Sequence, residues 1–406
     1  MLDANFWSLC SDAALTSLGF FWKALWAFIL GYIISGLIQV FVTEDQLQGA
    51  MGNAGRSSVV LGTFFGFISS SCSFAALATT KSLFQKGAGF IPTMAFLLAS
   101  TNLVVELGVI IFIFLGWEFV IGEYLGGVLL IFFVWVLYRI KPLKRLIRNT
   151  RNRLQNEQIS HHSADKKKQL LYQKMMQLQT WQMVAQKYFM EWGMVWKDVT
   201  IGFTVAGIIA VFVPTVFFET LFIGSGQSNP SFFAVLANVI VGPIAAFFTF
   251  IGSMGNIPLA AILYNNGVSF GGVMAFIFSD LVVFPVIRVN AKYYGWKMAL
   301  YILALLFGSL IATSLVLHYS FASLDILPEQ VMTRGATGER FQIDYTFFLN
   351  IIFLAITSVF FWLKTSADHM SGHHHGERSV VERILFYLAI TAYIWLVSGI
   401  CLYFVA

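Results

Sequence analysis

Long apolar runs separated by short polar links make up most of this chain. Runs over 20–42, 90–116, 121–138, 198–218, 270–287, 297–317, 345–364 and 383–405 are each close to the ~20 residues that cross a bilayer as helix. They lack the ~10-residue alternating segments of an outer-membrane barrel. Two further runs, 59–81 and 231–264, are interrupted in the middle by polar or small residues. Residues 3–18 carry Phe6, Leu9 and Ala13 at roughly helical spacing but are too polar to span, so an interfacial helix is expected there. The link between 90–116 and 121–138 holds Glu118 and Glu123 and reads as a turn.

The pattern occurs twice. Ser73, Leu83, Gly87, Phe90 and Met94-Ala95-Phe96 recur 180 positions later as Ser253, Leu263, Gly267, Phe270 and Met274-Ala275-Phe276. Before them, Gly31 and Ser35-Gly36-Leu37 match Gly202 and Ala206-Gly207-Ile208 at a spacing of 171. Each copy has its interruption: Ser69-Ser70-Ser71-Cys72-Ser73 in the first, and Gly252-Ser253-Met254-Gly255-Asn256-Ile257-Pro258 in the second. Irregular backbone is tolerated in lipid only where protein buries it or it lines a cavity, and paired interruptions at matching places mark a transporter's midplane site. Ser69, Ser70, Ser71, Cys72, Ser73, Ser253, Gly255, Asn256 and Pro258 are therefore the expected substrate-binding residues. The competing explanation is close packing of two helices through small residues. Four spans per copy make the copies parallel, whereas a re-entrant interruption makes them inverted; both remain open.

Composition agrees with the pattern: 58% hydrophobic, 17% aromatic and only 11% charged residues exclude a soluble globular protein. Cys10, Cys72 and Cys401 form neither a disulfide framework nor a CxxC metal site, and no basic segment precedes the first apolar stretch as in a signal peptide. The net charge of +5 is concentrated in residues 139–197, which hold 13 of the 25 Lys and Arg against Glu157, Asp165 and Glu191. This excess places the segment in the cytoplasm, against anionic lipid. Lys166-Lys167-Lys168 lack the surrounding chemistry of nucleic-acid readers, so no nucleic acid is expected. The part from 170 to 196 is amphipathic and is expected to lie on the membrane surface. On the simplest topology Arg288, Lys292 and Lys297 fall outside, against the charge rule.

Cys72-Ser73-Phe74-Ala75-Ala76-Leu77-Ala78, with Gly87, Pro92 and Met94 to Ser100 behind it, resembles the duplicated predicted-permease family that includes the bacterial organoarsenical efflux permeases. Gly255-Asn256-Ile257-Pro258 fits the second-repeat pattern of that family. The first pattern departs from it: Phe74, Ala75 and Ala78 stand where the family has Cys, Gly and Pro. The resemblance covers about 31–317 without the basic loop and implies a polytopic permease of the bacterial inner membrane. It does not imply arsenic, because the paired thiols that suit a soft metalloid are reduced to Cys72.

Ionisable residues inside spans cost about 2.5–3.5 kcal/mol each at the bilayer centre and mark ion pathways. Asp280, deep in the 270–287 run beside Ser279 and matched by Ser100 in the first copy, is the candidate for proton coupling, with an ion pair to Arg288 as the alternative. Glu106 with Asn102 resembles it but lies nearer a span end. His369, His373, His374 and His375, with Asp368 and Glu377, form a metal-ligand cluster between the last two helices, where weak scavenging competes with a defined site. No phosphate-binding loop, dinucleotide fingerprint or nucleophile elbow occurs, and no catalytic dyad is evident in the spans, so neither ATP-driven transport nor an enzyme is expected.

The expected protein is an all-α polytopic membrane protein of about eight to ten transmembrane helices, built from two homologous repeats with broken helices. Its parts are 1–138 (interfacial helix and first repeat), 139–197 (basic loop), 198–318 (second repeat) and 319–406 (linker and two helices). The expected function is secondary transport, efflux of a small ion, metal or metalloid coupled to protons, with an ion channel or a metal exporter using the His-rich loop as alternatives. No cofactor is expected; the expected partners are membrane lipid, the substrate and, as an open option, a second copy in a homo-oligomer.

Overall fold

The computed structural model describes residues 2–41, 56–69, 73–85, 87–157, 177–227, 230–249, 253–328, 341, 345–367 and 380–405, and these are helical with no strand among them. In order they form α1 (Leu2–Phe41), α2 (Arg56–Ser69), α3 (Ser73–Gln85), α4 (Phe90–Asn102), α5 (Val105–Leu115), α6 (Trp117–Ile140), α7 (Lys144–Glu157), α8 (Leu178–Phe212), α9 (Thr215–Leu221), α10 (Phe232–Thr249), α11 (Ser253–Asn265), α12 (Phe270–Ile277), a 3-10 turn (Phe278–Leu281), α13 (Phe284–Tyr294), α14 (Trp296–Ser323), α15 (Tyr345–Ala367) and α16 (Val380–Val405). Six of the described helices or helix pairs are long and apolar enough to cross a bilayer, or seven if the pair α4 and α5, bent by 44°, is one span. α8 runs antiparallel beside α1, with Gly36 against Val184 and Tyr188 and Gly207 against Ala13 and Ser17, which adds another crossing.

Helix directions follow from these packing pairs. Gly62 sits on the Pro92 carbonyl and Gly66 on the Phe96 carbonyl, so α2 runs parallel to α4. α3 then returns to the end from which α2 started, where its last residue, Gln85, donates to the Leu154 carbonyl of α7 (2.5 Å). At ~1.5 Å per residue the 13 residues of α3 reach about 20 Å, short of the ~30 Å hydrocarbon core. α2 and α3 are thus a re-entrant hairpin. The same construction recurs in α10 and α11: Gly242 sits on the Gly272 carbonyl, α10 runs parallel to α12, and α11 ends beside the close of α14, at the opposite face. Matching turns follow both hairpins. Gly87 (φ 109°) and Gly267 (φ 86°) take the left-handed conformation, which places Ala88 N–H on Leu83 O (3.0 Å) and Val268 N–H on Leu263 O (3.1 Å).

One face gathers the basic residues. α7 straps across it: Arg151 donates to the Ala88 carbonyl (2.5 Å) with its guanidinium over Phe84, and Arg153 donates to the Tyr293 carbonyl (3.2 Å). Burial pulls the Arg151 guanidinium below its ordinary value. Lys81 lies over the Tyr293 ring (4.8 Å). Lys292 and Lys297, adjacent to this contact, therefore share the face of the basic loop, and the conflict with the charge rule disappears once α10 and α11 form a hairpin rather than a span.

Two expectations about amphipathic segments change. Residues 3–18 are continuous with the first span, because Ser17 donates to Ala13 O (2.9 Å) and to Thr204 O of α8 (3.4 Å), so its polarity is met by protein. Residues 178–196 likewise continue into α8 instead of lying on the surface; Val184 and Tyr188 are fully buried, and Tyr188 shares a hydrogen bond with Thr357 of α15 (2.7 Å). α15 and α16 lie at the edge, mostly exposed where lipid would be.

In a cysteine-free background, single cysteines at 144 and 297 should be labelled from one side of the membrane by an impermeant maleimide, and cysteines at 265 and 325 from the other. Labelling of 297 and 325 from one side would overturn this topology.

Candidate functional site

Asp280 belongs to the 3-10 turn between α12 and α13, where the second broken span stops being α-helical. The turn packs against α10, α11, α13 and α14. Its carboxyl is 1% exposed and accepts a hydrogen bond at Oδ2 from the hydroxyl of Ser73 (3.3 Å), the first residue of α3. The end of one hairpin helix thus meets the break of the opposite span. Oδ1 has no partner among the described residues, and Arg288, two turns on, is exposed and forms no ion pair with it. The ion-pair alternative for Asp280 therefore falls.

Glu123 is the residue that the sequence pattern misplaces. It lies inside α6 rather than in a turn, is 0% exposed, and neither carboxyl oxygen has a hydrogen-bond partner among the described residues. It is within Coulombic reach of Asp280. Small residues produce this approach: Gly122 leaves room for the Phe270 and Met274 side chains, and Gly126 for the Phe278 ring two residues before Asp280. The available signal was the spacing of Phe119, Gly122, Glu123, Gly126 and Leu130, a helical stripe that starts before the supposed turn ends.

Glu106 occupies the first turn of α5, at the bend inside the first broken span and not near its end. It is 5% exposed and packs against Gly31 of α1. Tyr124 closes this bend by donating to the Val104 carbonyl (3.4 Å), and it lies within Coulombic reach of both Glu106 and Glu123. Ser100 and Asn102, both buried, bond to their own helix at Leu97 O (3.0 Å) and Leu98 O (3.2 Å). Of the second interruption, Ser253 begins α11, Gly255 and Asn256 are buried in its first turns, and Pro258 follows inside the helix. Ser69 ends α2; Ser70, Ser71, Cys72 and His369, His373, His374, His375 lie outside the described residues. No group of three or more His, Cys, Asp or Glu that could hold a metal occurs among the described residues.

Several helices long and apolar enough to cross a bilayer, with the buried carboxyls Asp280 and Glu106 where helices break, fit a polytopic membrane permease. The chain belongs to the predicted permease family, whose model matches residues 11–319. It is 37% identical over 326 residues, 78% of this chain and 79% of the relative, to the "Putative permease Rv2963" of Mycobacterium tuberculosis. No solved structure gives a significant match.

A buried carboxyl without partners costs stability that a functional site tolerates. Glu123→Leu should raise the thermal midpoint in detergent, equivalent to about 1–3 kcal/mol, the usual penalty of an unsatisfied buried polar group. A lowered midpoint would make Glu123 a structural anchor instead.

Proposed function

We propose that the protein is a secondary transporter that moves a small ion, metal or metalloid species out of the cell across the bacterial inner membrane in exchange for protons. The single observation carrying this reading is the bond between Ser73 and Asp280. It joins a half-helix end to the break of an oppositely directed span, the geometry in which transporters hold substrate and coupling ion near the midplane. On this reading Ser69 to Ser73 and Ser253 to Pro258 line the substrate site, Asp280 carries the coupling proton, and Glu106, Asn102 and Ser100 form its counterpart at the first break. The basic face is assigned to the cytoplasm by the excess of Lys and Arg on α7 and around Lys292 and Lys297.

The segments 1–138 and 198–318 are read as inverted repeats. What supports this is the recurrence of packing at a spacing near 180: Gly62 on Pro92 and Gly242 on Gly272, the turns at Gly87 and Gly267, and the left-handed glycines Gly116 (φ 98°) and Gly295 (φ 83°) ahead of α6 and α14. Phe90 packs on Tyr138 and Tyr301, and Phe270 on Phe321 and Phe119, so each half's phenylalanine meets the end of its own long helix and the start of the other's. Exchanged packing of this kind makes a pseudo-two-fold axis in the membrane plane, about which one half rocks against the other to expose the site alternately.

The test is uptake into inside-out vesicles across a panel of metal ions, metalloids and small anions, with and without an imposed pH gradient. For the cargo so identified, Asp280→Asn should abolish the response to the gradient. Ser73→Ala should slow transport by about tenfold, as expected when one hydrogen bond to a charged group (~1.5–3 kcal/mol) is lost. Normal gradient-driven transport by both variants would refute the site assignment.

A further inference from the structure

A second feature lies on the face opposite the basic strap. Between the junction of α5 and α6, the end of α11 and the close of α14 is a cavity of about 560 Å³ lined by Glu118, Asp325, Tyr264 and Asn265 among others. Among the described residues its polar lining carries two acids and no base. Behind its lining residue Tyr264 lies Phe119, fully buried, which packs edge-on to that ring (4.8 Å between ring centres) and against Phe270 (4.9 Å). Tyr264 is held in turn by a hydrogen bond from its hydroxyl to the Pro328 carbonyl. Phe119 and Glu123 are one helical turn apart on the same buried stripe of α6, so the vestibule, the ring and the two carboxyls follow one another toward the membrane centre.

We propose that Glu123 and Asp280 together hold a single proton, and that it is exchanged with the face opposite the basic strap through this vestibule, with the Phe119 ring as the gate. The inference rests on the transporter reading above. Gly122 against Met274 and Gly126 against Phe278 bring the Glu123 stripe of α6 onto the segment that carries Asp280, and two buried carboxyls with no ion pair among the described residues cannot both carry charge in a low-dielectric interior, so at least one keeps a proton. Among the described residues, the charged and titratable groups around them leave no other neutraliser. α4, α10 and α12 contribute none; α3 offers Lys81, which is engaged at Tyr293 on the basic face. α13 offers the exposed Arg288 and Lys292 with Tyr293 and Tyr294, also at that face. α14 offers His318, whose Nδ1 accepts the Gly271 N–H (3.3 Å), with Tyr301 and Tyr319 toward its ends. α5 offers Glu106, α11 offers Tyr264, and α6 itself offers Tyr124. When the gate opens, the proton passes from the carboxyl oxygen to a vestibule water and leaves the pair one charge more negative. An apolar ring that excludes water blocks this step when closed.

The proton and its route are each testable without knowing the cargo. Purified protein in lipid should show by infrared spectroscopy, at neutral pH, the C=O stretch of a buried protonated carboxylic acid. Glu123→Gln and Asp280→Asn should each shift or remove it, with thermal midpoints confirming that both variants fold. In proteoliposomes loaded with a pH-sensitive dye, Phe119→Ala should speed equilibration of a proton gradient roughly tenfold, one decade in rate for a modest barrier change, and Phe119→Trp should not. A band untouched by either carboxyl variant would overturn the proposal. So would a Phe119→Ala leak equal to wild type, or thermal stabilisation by sodium ions that disappears in Glu123→Gln, which would make this a metal-cation site. Failure of the uptake panel with the band and the leak as predicted would instead count against the transporter reading alone.

Discussion

A carboxyl group that cannot reach water must be neutralised or hydrogen-bonded by the protein around it, and most of this architecture follows from meeting that demand at Asp280. A straight span offers a carboxyl on it only neighbouring side chains, since its backbone donors are consumed in its own ladder. Here the ladder is interrupted: α12 ends, a single 3-10 turn carries Asp280, and the helix resumes as α13. A donor comes from outside, as the hydroxyl of Ser73, the first residue of α3. A half-length helix can present its first residue at Asp280 only if the chain turns back there, which is why the hairpin of α2 and α3 and the broken span are two parts of one device.

The hairpins in turn depend on close backbone approach. α2, at 14 residues, is too short to span, and α2 and α10 are each seated on a neighbour by a glycine under a carbonyl, Gly62 under Pro92 and Gly242 under Gly272. Leucine at either place would push the hairpin away and pull the site apart, so these glycines serve position rather than flexibility. On the basic face α7 closes the frame by holding both halves through carbonyls that helix ends leave free, Ala88 through Arg151 and Tyr293 through Arg153. Arginine suits this role, since its fork of donors reaches carbonyls while its planar face covers Phe84.

Much of this was legible in the chain. The doubled glycines are local, and Gly87 and Gly267 both close the same left-handed turn onto a leucine carbonyl. Asp280 was legible as well, because a lone acid in an apolar run has few innocent explanations. What was not legible was direction and depth. An apolar stretch of 13 to 14 residues looks much the same whether it spans or turns back, and only tertiary pairing distinguishes them. Glu123 was lost for a related reason: with Glu118 five residues before it, it reads as part of a polar link, although the helix starts at Trp117 and the glycines at 122 and 126 admit the opposing rings. The amphipathic segment before residue 196 misled in the opposite sense: its buried face packs inside the bundle, where Tyr188 bonds Thr357 of α15, while Gln179 and Gln186 stay exposed.

The proposed repeat also places the carboxyls in an informative way. At a spacing of 180, the position matching Asp280 is Ser100, whose hydroxyl is spent on Leu97 of its own helix, and the position matching Glu123 is Leu303. On the proposed repeat the backbone frame is nearly symmetric, whereas the charge at its centre is not. A symmetric frame has two end states of similar packing energy, as rocking between them requires, because the packing that one half gives up is recovered by the other. An asymmetric pair of carboxyls, contributed one from each half, makes these states unequal, since the pair's distance from water and from each other changes as the halves move. On the proposed transport reading, the energy difference between the states then depends on whether the proton is present, and that dependence is what coupling consists of.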